Sequence, residues 1–475
     1  MSSSTGGQLG LPFAPSVSRS RYQGADHEGG LTAISLFSSG GIGELGLTAA
    51  GFDILVANEL LDNRCDLYEE NFTETHLIRG DIWEVRDEVI ETAIELLDGR
   101  RLDLVYATPP CQGMSTNGRG KLASEIENGR RRGEDPRNRL IIPTVDIILA
   151  LNPMFVLFEN VPGMVSTVIR NEHNGYESIL EYVSRRLRDE YVGAGEIVAC
   201  EDFGIPQLRR RLITIFSRNQ DAQRYFAANG GSYLPHGQRI PGPTLEDAIG
   251  HFPELDAREG ANADLEFHPQ HRVPLMDGRK YWWVEHTPEG DTAFNNQCVN
   301  PGCGFDGTPG HKEEKRDGKW VAVAERPLRC LMCGELLPRP TVVNKDGSLR
   351  PLKGFHSAYR RMRYDDTART LTQNFIYEAS DNKIHPTQNR VLSVYEAMVI
   401  QTIDRYEYRF EIDGLDIGIP RIAEVIGESV PPLLIERIAN HLAALASKSI
   451  ELEQNGQSRE IPSRVSRSMT SGEFS

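Results

Sequence analysis

The feature that most limits the fold of this chain is an alternation of short apolar runs with helical patterns between residues 31 and 217. The apolar runs are rich in β-branched residues, and the segments between them repeat their apolar residues at helical spacing. Such alternation predicts βαβ units and therefore an α/β fold with a doubly wound, mostly parallel sheet. The predicted strands are residues 32–37, 53–57, 103–107, 154–158, 196–199 and 212–216.

A length of 475 residues is too great for one compact core and predicts two domains. The alternating pattern places the first domain at residues 30–218. Stretches rich in Pro, Gly and charge then predict a second, smaller and irregular domain over 219–414, and a helical segment over 415–454 is expected to complete the first domain. The polar, Ser-rich segments 1–29 and 455–475 predict flexible tails.

Composition narrows the class of protein. The sequence has no run of about 18 apolar residues and no secretory signal at its start, so we expect a cytoplasmic protein without a membrane partner. The odd number of cysteines, seven, argues against a disulfide framework and favours reduced thiols with metal-binding or catalytic roles. The net charge of −16 disfavours a polyanionic partner on average, but the charge is unevenly distributed.

A glycine-rich turn follows the first predicted strand. Gly41, Gly43 and Gly46 satisfy the spacing G-x-G-x-x-G, and Glu59 closes the second strand, where its carboxylate can accept hydrogen bonds from ribose hydroxyls. This arrangement fits a nicotinamide dinucleotide. It equally fits S-adenosylmethionine, whose adenine amino group Asp81, in the segment Gly80-Asp81-Ile82, could meet. A tight turn without a ligand also satisfies the pattern, so the turn alone does not decide.

Three polar motifs follow later strands. Pro-Cys-Gln lies at 110–112, Glu-Asn-Val at 159–161, and Gln-x-Arg-x-Arg at 207–211. Ligands of open α/β sheets bind at the carboxyl ends of the strands, so these motifs are expected to converge on one cleft.

The order of these motifs resembles the cytosine-5 DNA methyltransferase family. Residues 135–140, 390–397 and 427–432 resemble further motifs of the same family. The resemblance covers about 31–217 and 356–446, and it implies a Rossmann-like fold of the class I methyltransferases. It also implies that residues 219–414 form the target recognition domain.

The resemblance implies transfer of a methyl group from S-adenosylmethionine to C5 of a cytosine flipped out of double-stranded DNA. The Cys111 thiolate would add to C6 of the base, because this addition makes C5 nucleophilic. Glu159 would donate a proton at N3, and Arg211 would contact the base carbonyl. The remaining residues assigned to the catalytic site support these three, and they are Arg209, Pro110 and Gln112.

The same resemblance implies a set of residues that bind the cofactor. They are Phe37, Ser38, Gly41, Gly43, Glu59, Asp81, Ile82, Pro109, Ser429 and Val430. The chain departs from the family pattern at the cofactor turn, where Ser39 and Ile42 replace two glycines. It departs again in the last motif, where Glu428 replaces an asparagine, and before Glu396, where Tyr395 replaces a common arginine.

Four cysteines of the second domain have the spacing of a zinc ribbon over residues 298–333. Cys298 and Cys303 form one pair and Cys330 and Cys333 the other, and each pair is followed by a glycine. Four thiolates suit a closed, tetrahedral, structural zinc site; four unrelated reduced cysteines are the alternative. Basic residues outnumber acidic ones between 297 and 353, which favours contacts with phosphates.

Together these features predict a sequence-specific DNA methyltransferase of a restriction-modification or phage-defence system. We expect it to act as a monomer on double-stranded DNA in a prokaryotic cytoplasm, at the nucleoid, alongside other components of that system. Two alternatives remain: a cytosine-5 methyltransferase acting on transfer RNA, and a catalytically inactive zinc protein that binds DNA on the same scaffold.

Overall fold

The computed structural model describes most of the chain between residues 22 and 454. The described residues are 22–24, 30–110, 135–171, 175–235, 239–310, 313–316, 319–322, 327–352, 357–380 and 382–454. The predicted nucleophile Cys111 and its neighbour Gln112 lie outside these residues, as do nearly all of the predicted tails.

A seven-stranded sheet forms the centre of the fold, in the order β3-β2-β1-β4-β5-β7-β6. The first five strands in this order run parallel, whereas β7 is antiparallel to both of its neighbours. The prediction of a mostly parallel α/β sheet is therefore confirmed. The strands are β1 (Leu31–Leu36), β2 (Phe52–Glu59), β3 (His76–Arg79), β4 (Leu104–Ala107), β5 (Phe155–Asn160), β6 (Val192–Ala199) and β7 (Arg210–Ser217).

Eleven α-helices occur in the described residues. They are α1 (Ile42–Ala49), α2 (Asp62–Asn71), α3 (Ile82–Leu97), α4 (Ile141–Leu151), α5 (Ile179–Leu187), α6 (Gln220–Ala228), α7 (Leu245–Ile249), α8 (Gly278–Glu285), α9 (Val394–Ile400), α10 (Ile419–Glu428) and α11 (Pro432–Gln454). No helix among these residues is both long and apolar enough to cross a membrane.

Helices cover both faces of the sheet because successive side chains of a strand point in opposite directions. Ile34 of β1 belongs to an apolar cluster with α3, α4 and α5, whereas its neighbour Ala33 belongs to a second cluster with α1 and α11. The α1–α11 contact is close: a side chain on Gly46 would lie 2.3 Å from the Pro432 carbonyl oxygen. The third glycine of the turn motif thus permits this helix packing.

A third apolar cluster joins segments that are distant in sequence. It combines Ile42 and Leu67 with residues of α7, α9 and α10 and with Leu371 and Phe375. The cluster therefore crosses the predicted boundaries at residues 219 and 414.

Five short strand pairs lie outside the central sheet in the described residues, and turns make up much of 239–393. The paired strands are Val168–Arg170 with Tyr176–Ser178, Gln207–Leu208 with Ala368–Arg369, Glu313–Arg316 with Lys319–Ala322, Thr341–Val343 with Leu349–Pro351, and Glu411–Ile412 with Leu415–Asp416.

Candidate active site

The turn between β1 and α1 has an unusual backbone. Phe37, Ser39 and Gly41 all have positive φ, at 63°, 48° and 81°. A side chain on Gly41 would also lie 2.2 Å from the ring of Phe72, so glycine is required there on both counts. Ser39 occupies a conformation that favours glycine, the residue that the family usually has at this position. The other substituted position, Ile42, is buried in the third apolar cluster.

Glu59 stabilises this turn. One of its carboxylate oxygens accepts a hydrogen bond from the Ser39 N–H, and the other accepts from the N–H groups of Leu60 and Leu61, each at 2.8 Å. A carboxylate oxygen has two lone pairs, so the oxygen bonded to Ser39 can still accept from a hydroxyl group. The predicted ribose contact is compatible with this geometry.

Close packing requires glycine at position 43. A side chain there would lie 2.7 Å from the Tyr106 hydroxyl and 3.2 Å from the side chain of Val430. The residue therefore permits close packing of α1 against β4 and against the segment that follows α10. Ser38 lies beneath the turn, where its hydroxyl donates to Ser35 Oγ at 3.0 Å.

The carboxyl ends of β2 and β3 offer an apolar surface. Leu60, directly after Glu59, is 57% exposed, and Trp83 is 38% exposed. Between them along the chain, Asp81 caps α3 by accepting from the Trp83 N–H at 3.0 Å, and Ile82 is buried. Carboxylates beside exposed apolar side chains fit the ribose and adenine of S-adenosylmethionine. Sequence reasoning missed Leu60 and Trp83, although a large apolar residue next to Glu59 was a usable signal.

Two hydrogen bonds hold the segment that leads from β4 to Cys111. The Asn160 side-chain N–H donates to the Pro109 carbonyl oxygen at 2.6 Å, and the Thr108 hydroxyl donates to the Phe37 carbonyl oxygen at 2.8 Å. Pro109 is buried and Pro110 is exposed. The end of β4 is thus tied to the end of β5 on one side and to the glycine-rich turn on the other.

Glu159 and Arg211 meet at the same edge of the sheet. Glu159 is paired with Ile213 across the antiparallel β5–β7 contact, which brings Arg211 of β7 beside it. Arg211 Nε lies 2.6 Å from Glu159 Oε1, and both side chains are 11% exposed. Glu159 Oε1 is buried and has no aligned hydrogen bond. The two predicted base-binding groups therefore lie together, next to the segment that precedes Cys111.

Arg209 has a different environment. Its guanidinium donates to the main-chain carbonyl oxygens of Leu371 at 2.7 Å, Ser429 at 2.5 Å and Gly427 at 3.2 Å. Burial, together with the nearby Arg211, lowers the pKa of Arg209 to about 9. These carbonyls accept from both terminal nitrogens of the guanidinium, so Arg209 connects this edge of the sheet to the segment of the last motif.

Gln207 and Gln401 extend this connection, and sequence reasoning gave neither of them a role. The Gln207 side-chain N–H donates to Gln401 Oε1 at 2.7 Å, and Gln401 donates to both the carbonyl oxygen and the hydroxyl of Ser429. Ser429 ends α10, and the next residue, Val430, is buried against Gly43. The predicted cofactor residues Ser429 and Val430 are therefore held beside the glycine-rich turn.

The buried thiols near the site are poor nucleophiles. Cys200 is fully buried, and its burial raises the pKa of the thiol to about 12 although Arg209 and Arg211 are nearby. Burial likewise raises the pKa of Cys65 to about 11. A thiolate is the nucleophilic form, so both residues are suited to packing and not to catalysis.

Cys298, Cys303, Cys330 and Cys333 form one cluster, with all sulfur atoms within 4.8 Å of one another. Cys298 and Cys333 are 3.6 Å apart, and Cys303 and Cys330 are 3.8 Å apart. Tetrahedral zinc with bonds of about 2.3 Å requires sulfur–sulfur distances of about 3.8 Å, so the cluster fits this ion. The glycine after each pair, Gly304 or Gly334, has positive φ and turns the backbone around the cluster.

A comparison of the sequence with protein families establishes the family to which the chain belongs. The model of the C-5 cytosine-specific DNA methylase family matches residues 31–444. The chain belongs to this family. The resemblance inferred from the motifs is therefore confirmed, and with it the prediction of a DNA cytosine methyltransferase.

Two relatives extend the match over most of the chain. The Type II methyltransferase M1.HgaI of Avibacterium volantium is 29% identical over 424 residues, covering 87% of this chain and 98% of the relative. The Type II methyltransferase M1.HphI of Haemophilus parahaemolyticus is 31% identical over 418 residues, covering 86% of each. A solved DNA modification methyltransferase from an E. coli prophage shares the fold, with a TM-score of 0.54, 18% identity, and coverage of 88% of this chain and 99% of that one.

Proposed function

We propose that this C-5 methylase uses Cys111, Glu159 and Arg211 to methylate a cytosine flipped out of double-stranded DNA. The contact between Glu159 and Arg211, beside the segment leading to Cys111, carries the proposal. The Cys111 thiolate forms a bond to C6, and Glu159 supplies a proton at N3, so that the electron pair is available at C5. After C5 has taken the methyl group, the C5 proton is lost to solvent, the thiolate leaves C6, and the N3 proton returns to Glu159, which restores the aromatic ring.

The surrounding residues keep these groups in place. Asn160 and Thr108 hold the segment before Cys111, and Arg211 contacts Glu159 and would also contact the base carbonyl. Pro110 and Gln112 flank the nucleophile. Arg209 supports Arg211 through the backbone, by holding the chain around Leu371 and Ser429. Such fixed geometry matters because small displacements of reacting groups reduce rates strongly.

S-adenosylmethionine, when bound, supplies the methyl group on a sulfonium. We assign its site to the carboxyl ends of β1 to β4, where Phe37, Ser38, Gly41 and Gly43 form the turn. Glu59 and Asp81 would accept hydrogen bonds from the ribose and adenine. The remaining cofactor residues are Ile82, Pro109, Ser429 and Val430, with Leu60 and Trp83 added from the structure.

We also propose that two parts of the chain have different functions, catalysis and recognition of the target sequence. Residues 30–218 and 415–454 form the catalytic part, and the third apolar cluster supports adding the segments around α7 and α9 to it. The rest of 219–414 would read the target sequence. The names of the relatives as Type II methyltransferases support a role in bacterial restriction-modification.

A direct assay tests the proposed reaction. The purified protein is incubated with S-adenosylmethionine carrying a labelled methyl group and with either a mixed-sequence DNA duplex or transfer RNA. We expect label in the DNA alone, and bisulfite-type sequencing of the product should place the methyl group at C5 of cytosine within one recurring sequence. Label confined to transfer RNA, or binding of DNA without any transfer, would contradict the proposal.

We further propose that Cys298, Cys303, Cys330 and Cys333 hold a structural zinc ion. Neighbouring backbone supports this role: Arg339, 1% exposed, donates to the carbonyl oxygens of Asn296, Thr308, Pro309 and Pro327 and so joins the segments that carry the two cysteine pairs. Four thiolates leave no open coordination position, so the ion would stabilise the fold and take no part in methyl transfer.

Metal analysis provides the measurement for the zinc site. We expect about one zinc per chain in the wild type, and loss of the metal in Cys330→Ser, because three thiolates bind the ion less tightly. Cys65→Ser serves as a control that removes a thiol elsewhere and should retain the zinc. Wild-type protein that folds stably without zinc would refute the assignment.

A further inference from the structure

Glu428 lies beside the predicted cofactor site, in a group of charged side chains formed by Glu59, Arg64, Glu424 and Glu428. Arg64 is 4% exposed, and its Nη2 lies 3.2 Å from Glu428 and 3.4 Å from Glu424. Arg64 also links Glu428 to the end of β2: its main-chain N–H donates to the Leu61 carbonyl oxygen, and the Leu61 N–H donates to Glu59 Oε1, each at 2.8 Å. Three carboxylates and one guanidinium give this group a net charge of −2.

The position of Glu428 is well defined. The Gln373 side chain donates to Glu428 Oε1 at 2.8 Å, while Arg64 holds the other oxygen. A side chain on the preceding residue, Gly427, would lie 2.1 Å from the Gln373 main-chain nitrogen, so the backbones are in close contact. Glu428 nevertheless retains a side-chain exposure of 38%. Arg64 is shared between Glu424 and Glu428, so its single positive charge does not balance both carboxylates.

This surplus of negative charge acts differently on the methyl donor, S-adenosylmethionine, and on the product that it becomes, S-adenosylhomocysteine. S-adenosylmethionine carries a sulfonium, an ammonium and a carboxylate, and so has a net charge of +1. Methyl transfer removes the sulfonium charge, and S-adenosylhomocysteine has a net charge of zero. A fixed carboxylate near the site attracts the first of these more strongly than the second.

We propose that Glu428 is a specificity-determining residue, whose charge makes the site prefer the cationic methyl donor over the uncharged product. This inference rests on the proposed function, since it assumes that the site next to Glu59 binds S-adenosylmethionine. The preference promotes exchange of product for a new methyl donor. Glu424 and Glu428 offset the cost of burying the Arg64 guanidinium, and its one positive charge leaves their combined charge negative.

Calorimetric titration of the apo protein with S-adenosylmethionine and with S-adenosylhomocysteine tests the inference. For Glu428→Gln, we expect the ratio of the two affinities to fall by about fivefold, the effect of one charge several ångströms away in a medium of intermediate dielectric constant. Affinity for the product should remain unchanged. The glutamine oxygen can still accept from Arg64, its amide N–H can donate to the Gln373 side-chain oxygen once that amide turns over, and a thermal melt checks that the variant is folded.

Two comparisons sharpen the result. Glu246→Gln removes the same charge at an exposed position on α7 and should leave the ratio unchanged. Sinefungin carries an amine in place of the charged sulfonium. Its affinity should therefore fall in Glu428→Gln together with the affinity for the methyl donor. An unchanged ratio, or equal weakening of both nucleosides, would overturn the inference. Wild-type protein that binds neither nucleoside would instead contradict the proposed function.

Discussion

Replacing Cys111 with serine is expected to lower methyl transfer by at least about 10³-fold, because a serine hydroxyl is not ionised at neutral pH and adds poorly to C6. Binding of S-adenosylmethionine should be retained. Its predicted site is built by β1 to β4 and by the segment around Ser429, none of which depends on the thiol. A loss of turnover with intact cofactor binding separates a nucleophile from a residue that merely supports the fold.

The covalent step can be observed directly. In a duplex with 5-fluorocytosine at the target, the fluorine cannot leave C5 as a proton does, so the bond between Cys111 and C6 should persist after methyl transfer. The wild type should then form a protein–DNA complex that withstands denaturant, and Cys111→Ser should form none. Cys200→Ala is the matched control, because it removes a buried thiol near Glu159 and Arg211 that has no predicted catalytic role. A stable complex with Cys111→Ser would contradict the assignment.

The sheet was predictable because its strands are buried on both faces. The parallel strands β1, β2, β4 and β5 carry nearly continuous apolar runs, which stand out against the helical segments between them. Strand β3 lacks this signal, since only Ile78 of its four residues is buried. The boundaries of the second domain were harder to predict from the sequence, because Ile42 and Leu67 share an apolar cluster with residues more than 300 positions away.

The roles of Arg209 and Arg211 could not be separated by sequence spacing. Residues two apart in a strand point to the same side, which would bring both guanidinium groups to the base. In the structure β7 begins only at Arg210, and the Arg209 N–H bonds to the Gln207 carbonyl oxygen in a tight bend. This bend breaks the alternation and sends Arg209 to the carbonyls of the last motif. Arg211, on the regular strand, reaches Glu159.

The reason for each glycine in the turn motif could not be predicted from the sequence either. The same residue type is needed where a ligand approaches the backbone, where φ is positive, and where two elements pack closely. Gly41 meets the second and third conditions, whereas Gly43 and Gly46 meet only the third. Spacing alone could not distinguish these cases, because Tyr106 and Pro432, the contacts that require glycine, lie far along the chain.

A large loss of stability is expected when a buried ion pair in the motif near α9 is broken. Arg390 and Glu396 are both 0% exposed and share two hydrogen bonds of 2.7 Å. Burial alone would raise the pKa of Glu396, but Arg390 holds it at about 2, so the carboxylate is charged at neutral pH. Glu396 also accepts from the Ser393 N–H in a capping box at the start of α9.

Glu396→Ala should therefore lower the free energy of unfolding by about 3–5 kcal/mol, because it leaves the Arg390 charge buried without a partner. Glu181→Ala is the matched control: Glu181 closes the same kind of capping box with Ser178, but on the exposed face of α5, and its loss should cost about 1 kcal/mol. Urea denaturation of both variants measures the difference. If Glu396→Ala were no more destabilising than Glu181→Ala, the ion pair would contribute little, and the cap alone would explain the motif. We expect the larger loss, since α9 forms part of the third apolar cluster, which joins the segments around Ser429 to the cofactor turn.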